Sequence, residues 1–262
     1  MQALFYHHLS DYFCYSFQNK AQDLIDTPQY TRWFSGLPMF NMNGIFLKDP
    51  GIHWEPLFAK NIAFFEKEGL PHWWILPCQG KMGQYLEENG YKSMRYLSLI
   101  TLDITARAIA PFAHPRVRVE RVRNDEQLWI WSEIVGKVFA PSIQGVPLFF
   151  YEAYKHCGYD DQSPFYHYLG YLDSVPVGTS SLFFSQESKN DPVLGGLWNA
   201  GVLPQARNQG VGTTMYQKRV HDAMAKNVSQ LSSLLMPDGM AWSYCSPSGF
   251  EEAYRLYPYI SS

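Results

Sequence analysis

The chain is 262 residues long, room for one large domain or two of ordinary size, and 46% of it is hydrophobic. A formal net charge of −3 without basic runs argues against a nucleic-acid surface, and on the same ground against a charged tRNA as partner. No apolar stretch is long enough for a membrane span, and residues 1–17, interrupted by His7, His8, Ser10 and Asp11, do not read as a signal peptide.

Four scattered cysteines, Cys14, Cys78, Cys157 and Cys245, form no CxxC and no ligand cluster. They predict a reducing cytoplasmic setting and no metal. Residues 2–18 read as an aromatic-rich helix. The adjacent His7 and His8 point to different helix faces and read as surface histidines. Residues 30–34 and 39–47 read as strands, with Asn43-Gly44 as a turn or bulge. Phe58, Ile62 and Phe65 then mark one face of a helix ending at Gly69. A short buried strand over 72–76 contains Trp73-Trp74, which core packing explains. A helix over 80–89 and a long strand over 91–104 follow.

Pro111 and Pro115 place a linker at 106–115, between a domain of residues 1–105 and one of 116–262. The second half begins with a half-exposed strand at 117–119. Asn124 and Gln127 form a capping-box start, and Leu128, Trp131, Val135 and Val138 give the next helix its buried face. A second helix over 148–156 is followed by a hairpin, 165–172 and 177–184, turning at Asp173-Ser174. Residues 231–236 read as a strand, 240–245 as a short helix and 250–260 as the last strand.

Between the hairpin and residue 231 lies the most informative stretch. Residues 194–203 form an apolar strand ended by Pro204. Arg207-Asn208-Gln209-Gly210-Val211-Gly212-Thr213 then leads into a helix whose face carries Gly212, Tyr216, Val220 and Ala223. The first turn of a helix has N–H groups without intrahelical partners and a partial positive charge. Glycines there let a phosphate approach, so the stretch suits a pyrophosphate. A Walker loop would need Gly-Lys-Ser/Thr, and Gly212 is followed by Thr213-Thr214. A dinucleotide fingerprint would need G-x-G-x-x-G with a later acidic residue.

The pattern V-x-P-x-x-R-x-x-G-x-G, matched by Val202, Pro204, Arg207, Gly210 and Gly212, resembles the acetyl-CoA loop of the GNAT N-acetyltransferase superfamily. The order β-α-α-β-β-β-α-β-α-β over 116–262 is also that of the GNAT fold, a mixed α/β sheet flanked by helices. The first half looks like a degenerate copy, so the chain is similar to tandem GNAT proteins. At the corresponding place, residues 48–53 lack paired glycines and carry Asp49, which predicts one CoA per chain.

The resemblance implies acetyl-CoA as co-substrate, bound by Gly201, Val202, Arg207, Asn208, Gln209, Gly210, Val211, Gly212 and Thr213. It implies an amine of a small molecule or peptide as acceptor, with no nucleic acid or membrane as partner. Residues 149–151 and Tyr154 fall where the family shapes the acceptor pocket. The family's thiolate-protonating tyrosine aligns with Cys245, with Tyr244 one position earlier, and Tyr244 is the better acid. The central strand, 195–200, carries no carboxylate, which leaves Glu152, Asp160, Asp161, His167 or a water chain as the base, or an amine that binds already neutral. It also leaves a second reading open, a non-catalytic CoA-binding sensor or scaffold.

Overall fold

The computed structural model describes all residues except 1, 20, 106–113, 186–192, 238, 240–244, 246–247 and 262. They form two compact units, Met1–Ile100 with Leu234–Ser262, and Thr101–Ser233. Most of the expected linker, 106–113, lies outside the described residues, as does all of the expected helix at 240–245 except Cys245. The division falls between Ile100 and Thr101, and residues 234–262, expected in the second half, belong to the first unit.

The elements are α1 (Gln2–Phe17), β1 (Asp23–Asp26), β2 (Tyr30–Phe34), β3 (Asn43–Leu47), α2 (Trp54–Glu68), β4 (Trp73–Leu76), α3 (Lys81–Glu88), β5 (Lys92–Ser93) and β6 (Leu97–Asp103). They continue with β7 (Val117–Arg121), α4 (Asp125–Phe139), α5 (Val146–Lys155), β8 (Phe165–Leu172), β9 (Val175–Ser185), β10 (Val193–Val202), α6 (Val211–Ala225), β11 (Val228–Leu235) and β12 (Glu251–Ile260).

In the first unit the strand order is β1-β2-β3-β4-β12-β6. Strands β1 to β3 are antiparallel, and β3 runs parallel to β4 across the α2 crossover. Every residue of β2 and β3 is buried because helices cover both faces. On one face Phe13 of α1 stacks on Trp33 at 4.1 Å, and Tyr6 meets Phe46 edge-on. On the other, Phe58, Ile62 and Phe65 of α2 pack with Ile45, Leu47 and Trp74. The expected α2 face is therefore the observed one; Trp74 is core, whereas Trp73 is half-buried and packs edge-on against Phe40. Asn43 lies inside β3; its Oδ1 accepts from Ser35 N–H, and its Nδ2 donates to the carbonyls of Leu37 and Pro71.

Two expectations change here. The long strand over 91–104 is broken into β5 and β6, with Met94 N–H donating to Pro258 O at 2.9 Å. His8, expected at the surface, is buried.

The second unit has the order β11-β10-β9-β8-β7, antiparallel except for the parallel pair β10 and β11. Helices α4 and α5 cover the face that carries Phe165 and His167, through Trp131 and Tyr154. Asn124 Oδ1 caps α4 by accepting from Gln127 N–H at 2.9 Å, while Gln127 Oε1 accepts from Arg123 N–H. Asp173 and Ser174 both have positive φ, as a two-residue hairpin turn with right-handed strand twist requires. The succession of two antiparallel pairs, a crossover helix and a parallel strand thus occurs twice, as β1-β2-β3-α2-β4 and β8-β9-β10-α6-β11. It supports internal duplication. In the first copy Asp49 Oδ1 accepts from Gly51 N–H, so the carboxylate stands in the turn before α2.

Burial pushes three histidines down, His8 and His167 to about 3 and His72 to about 4. Each is neutral when folded yet takes up a proton in the unfolded chain below about pH 6.5. Stability is therefore full above that pH and falls by about 1.4 kcal/mol per pH unit per histidine toward pH 4. The urea midpoint at pH 5 is expected well below that at pH 7; equal midpoints would contradict the burial of these rings.

Candidate functional site

Strand β10 changes character halfway along. Against β9, Trp198 pairs with Ser181 and Gly201 with Thr179, so three steps on β10 oppose two on β9. This is a β-bulge. It is made by Asn199, whose φ of 51° lies in the left-handed region that asparagine tolerates better than most residues. On the other side, the parallel register with β11 runs from Val193 to Gly196, and Ser233 Oγ donates to Leu197 O just beyond it. Among the described residues, β11 pairs with β10 no further than Gly196.

A 3-10 turn, Pro204–Ala206, reverses the chain after β10. Arg207 Nε donates back to Val202 O at 3.1 Å, tying the turn to the end of the strand. Asn208 and Gly210 have φ of 59° and 81°, and α6 starts at Val211 with no side-chain cap. Among the described residues, no N–H of residues 209–213 donates a hydrogen bond. The helix foot thus holds a row of free donors at the positive end of its dipole.

Paired glycines fix the height of that foot. A Cβ on Gly170 or Gly178 would come within 2.9 Å of Val211, and within 2.8 Å of Met215. In the first two turns of α6 Val211 and Met215 are therefore buried in place of the expected Gly212 and Tyr216, while Val220 and Ala223 are buried as expected. Gly201 lets α4 close over the strand end, since its Cβ would stand 2.6 Å from Val138. The nine residues expected at the coenzyme site, Gly201, Val202 and 207–213, thus form one continuous strand end, turn and helix start.

Residues 139–240 match the sequence model of the acetyltransferase (GNAT) family. The match falls mostly within the second unit. None of the curated proteins matches the chain by sequence. Among solved structures it is similar to a GCN5-related N-acetyltransferase from Kribbella flavida, with a TM-score of 0.64 and 13% identity over 96% of this chain and 95% of that one. It is also similar to a tandem GNAT protein from the clavulanic acid biosynthesis pathway, with a TM-score of 0.62 and 12% identity over 97% and 87%. A conserved protein of unknown function from Staphylococcus epidermidis gives 0.63 and 12% over 93% and 94%. At these identities the likeness concerns the fold, and it extends over both units. The fold is the mixed α/β GNAT fold.

The acid and base candidates fare differently. Tyr244 lies outside the described residues. Cys245 is buried at 7% exposure in the first unit, where its carbonyl accepts from the N–H groups of Ser248 and Phe250. Asp160 Oδ1 accepts from the N–H groups of Gln162 and Ser163, a turn-forming role. Asp161 pairs with Arg121, which holds its carboxyl below the usual range. Glu152 is half-buried on α5. His167 is buried and neutral, so it is a poor base.

Of the expected acceptor-pocket aromatics, Phe149 and Tyr154 are core, and Tyr151 donates its hydroxyl to Asp125. The family resemblance points to the strand end at residues 199–202, but the sequence gives no sign of Ser181 or of His114, whose ring lies 2.8 Å from where a Cβ on Gly210 would stand. Among the described residues no cluster of three or more His, Cys, Asp or Glu could hold a metal, and no helix is long and apolar enough to cross a membrane.

Proposed function

We propose that the protein is an acetyl-CoA-dependent N-acetyltransferase acting on an amine of a small molecule or peptide. The observation that carries this reading is the row of N–H groups at residues 209–213 that donate no hydrogen bond among the described residues, set after the bulged end of β10. A pyrophosphate fits such a row, and the guanidinium of Arg207, held at one end by Val202 O, adds charge beside it. A backbone N–H near Gly201 or Val202 is proposed to polarise the thioester carbonyl. When bound, acetyl-CoA supplies an activated acyl group.

Residues 48–53 offer no such row and carry Asp49, so the proposal includes one coenzyme per chain. Tyr244 is proposed as the acid for the departing thiolate, with Cys245 the weaker candidate. A cytoplasmic location is proposed from the four free cysteines.

Calorimetry with CoA is expected to give one equivalent of sites, and acetyl-CoA with a panel of primary amines is expected to release free thiol. Coenzyme binding without thiol release from any amine would favour a sensor or scaffold, the reading that the missing strand carboxylate supports. No coenzyme binding would overturn both.

A further inference from the structure

A chain of neutral side chains runs from the bulge into the core of the second unit. Asn199 Nδ2 lies 3.5 Å from Ser181 Oγ, which lies 2.8 Å from His167 Nδ1. Ser181 and His167 are both buried. The His167 ring is enclosed by Trp131 at 4.5 Å, Tyr154 at 4.4 Å and Phe165 stacked at 5.4 Å, and the one charge acting on it is that of Arg121. Its Nε2 has no hydrogen-bond partner among the described residues.

The direction of the chain follows from donor chemistry. An amide Nδ2 only donates, so Ser181 Oγ accepts from it and keeps its own hydrogen to give to His167 Nδ1, the arrangement the proposal requires. The imidazole proton then sits on Nε2. With Nδ2 turned inward, the carboxamide oxygen of Asn199 is left for the bulged end of β10, and it makes no hydrogen bond among the described residues.

We infer that Asn199, held by Ser181 and His167, orients the acceptor amine by accepting a hydrogen bond from it through Oδ1. The inference rests on the proposed acetyl transfer. A carboxylate at this place would favour the ammonium form, whose nitrogen has no lone pair to attack with. A neutral amide oxygen holds an amine N–H without that bias. The amine nitrogen bonds to the acyl carbon, the carbon–sulfur bond breaks toward the thiolate, and the surplus amine proton leaves to water. Ser181 and His167 are positioning residues.

The test uses the full chain, acetyl-CoA and a panel of primary amines, with free thiol as the readout. Asn199→Gly keeps the left-handed backbone accessible while removing the amide. It is expected to raise the amine KM about tenfold, the worth of one hydrogen bond, with CoA affinity within about twofold. Ser181→Ala should move KM the same way. In spectra of 15N-labelled histidine it should also convert His167 from a single Nε2–H tautomer to a mixture, which a packing role alone would not do. An unchanged amine KM in Asn199→Gly, or a wild-type His167 protonated on Nδ1, overturns the inference while thiol release still upholds acetyl transfer. If CoA binds but no amine releases thiol, the enzymatic reading falls and this inference with it.

Discussion

Residues 1–105 produced without the rest of the chain are expected not to fold. Strand β12 belongs to the first unit, where Tyr257 to Ile260 pair with Leu76 to Trp73 of β4 and the short β5 is added to the same strand. Tyr259 is 2% exposed within the core around Trp74 and Tyr91, and Leu256 is fully buried. His72 N–H donates to Ser261 Oγ, and Ser98 donates to Glu252.

Losing the tyrosine alone forgoes about 4–6 kcal/mol of apolar burial, taking roughly 150–250 Å² at about 25 cal/mol per Å². Total domain stability is only about 5–15 kcal/mol, and β4 would also be left as a bare apolar edge. Circular dichroism with urea, and the spread of amide proton shifts, measure this directly. A cooperative transition in residues 1–105 would show the strand to be dispensable. Appending residues 250–262 behind residue 100 through a flexible glycine-serine linker is expected to recover cooperativity.

That strand also shows what a sequence can and cannot tell. Residues 250–260 read as a strand because apolar and aromatic residues recur along them, and β12 is there. Which sheet it joins is decided by complementary packing against β4, and no local pattern records a partner more than 170 positions away. The tail of β6 shows the reverse of the same arrangement. Ile104 N–H donates to Ser229 O within the second unit, although the chain reads continuously from the first. Each copy is thus closed by residues from the other half of the sequence, and a domain boundary drawn at a proline-rich linker misses this.

The coenzyme loop was legible for the opposite reason. Its geometry depends on residues adjacent in the chain, with Gly210 turning at a φ of 81° and Val211 opening the helix. The buried face of α6 is as expected at Val220 and Ala223 but one residue off at its start, because periodicity does not distinguish neighbouring stripes. The glycine pair at 170 and 178, on two other strands, selects Val211 and Met215. The bulge at Asn199 was missed because a single left-handed residue hardly disturbs an apolar strand pattern.

Gly212→Asp is expected to abolish measurable coenzyme binding while leaving the fold intact. Gly210 is the less informative position to alter. Its φ of 81° strains any side chain, and a Cβ there would press on His114 at 2.8 Å, so lost binding and lost structure would be confounded. Gly212 has no positive φ and stands in the first turn of α6, where an aspartate suits the helix dipole. The same carboxylate repels a pyrophosphate and competes with it for the N–H groups of that turn. Charge-assisted hydrogen bonds contribute about 1.5–3 kcal/mol each. Losing two of them costs roughly 3–6 kcal/mol, a weakening of at least about a hundredfold.

Gly212→Ala, which adds no charge, is expected to stay within about tenfold of the wild type. Calorimetry with CoA gives the affinities, and a thermal melt of each variant establishes that the fold survives. A folded Gly212→Asp protein that binds CoA within threefold of the wild type would remove the helix foot from the coenzyme site.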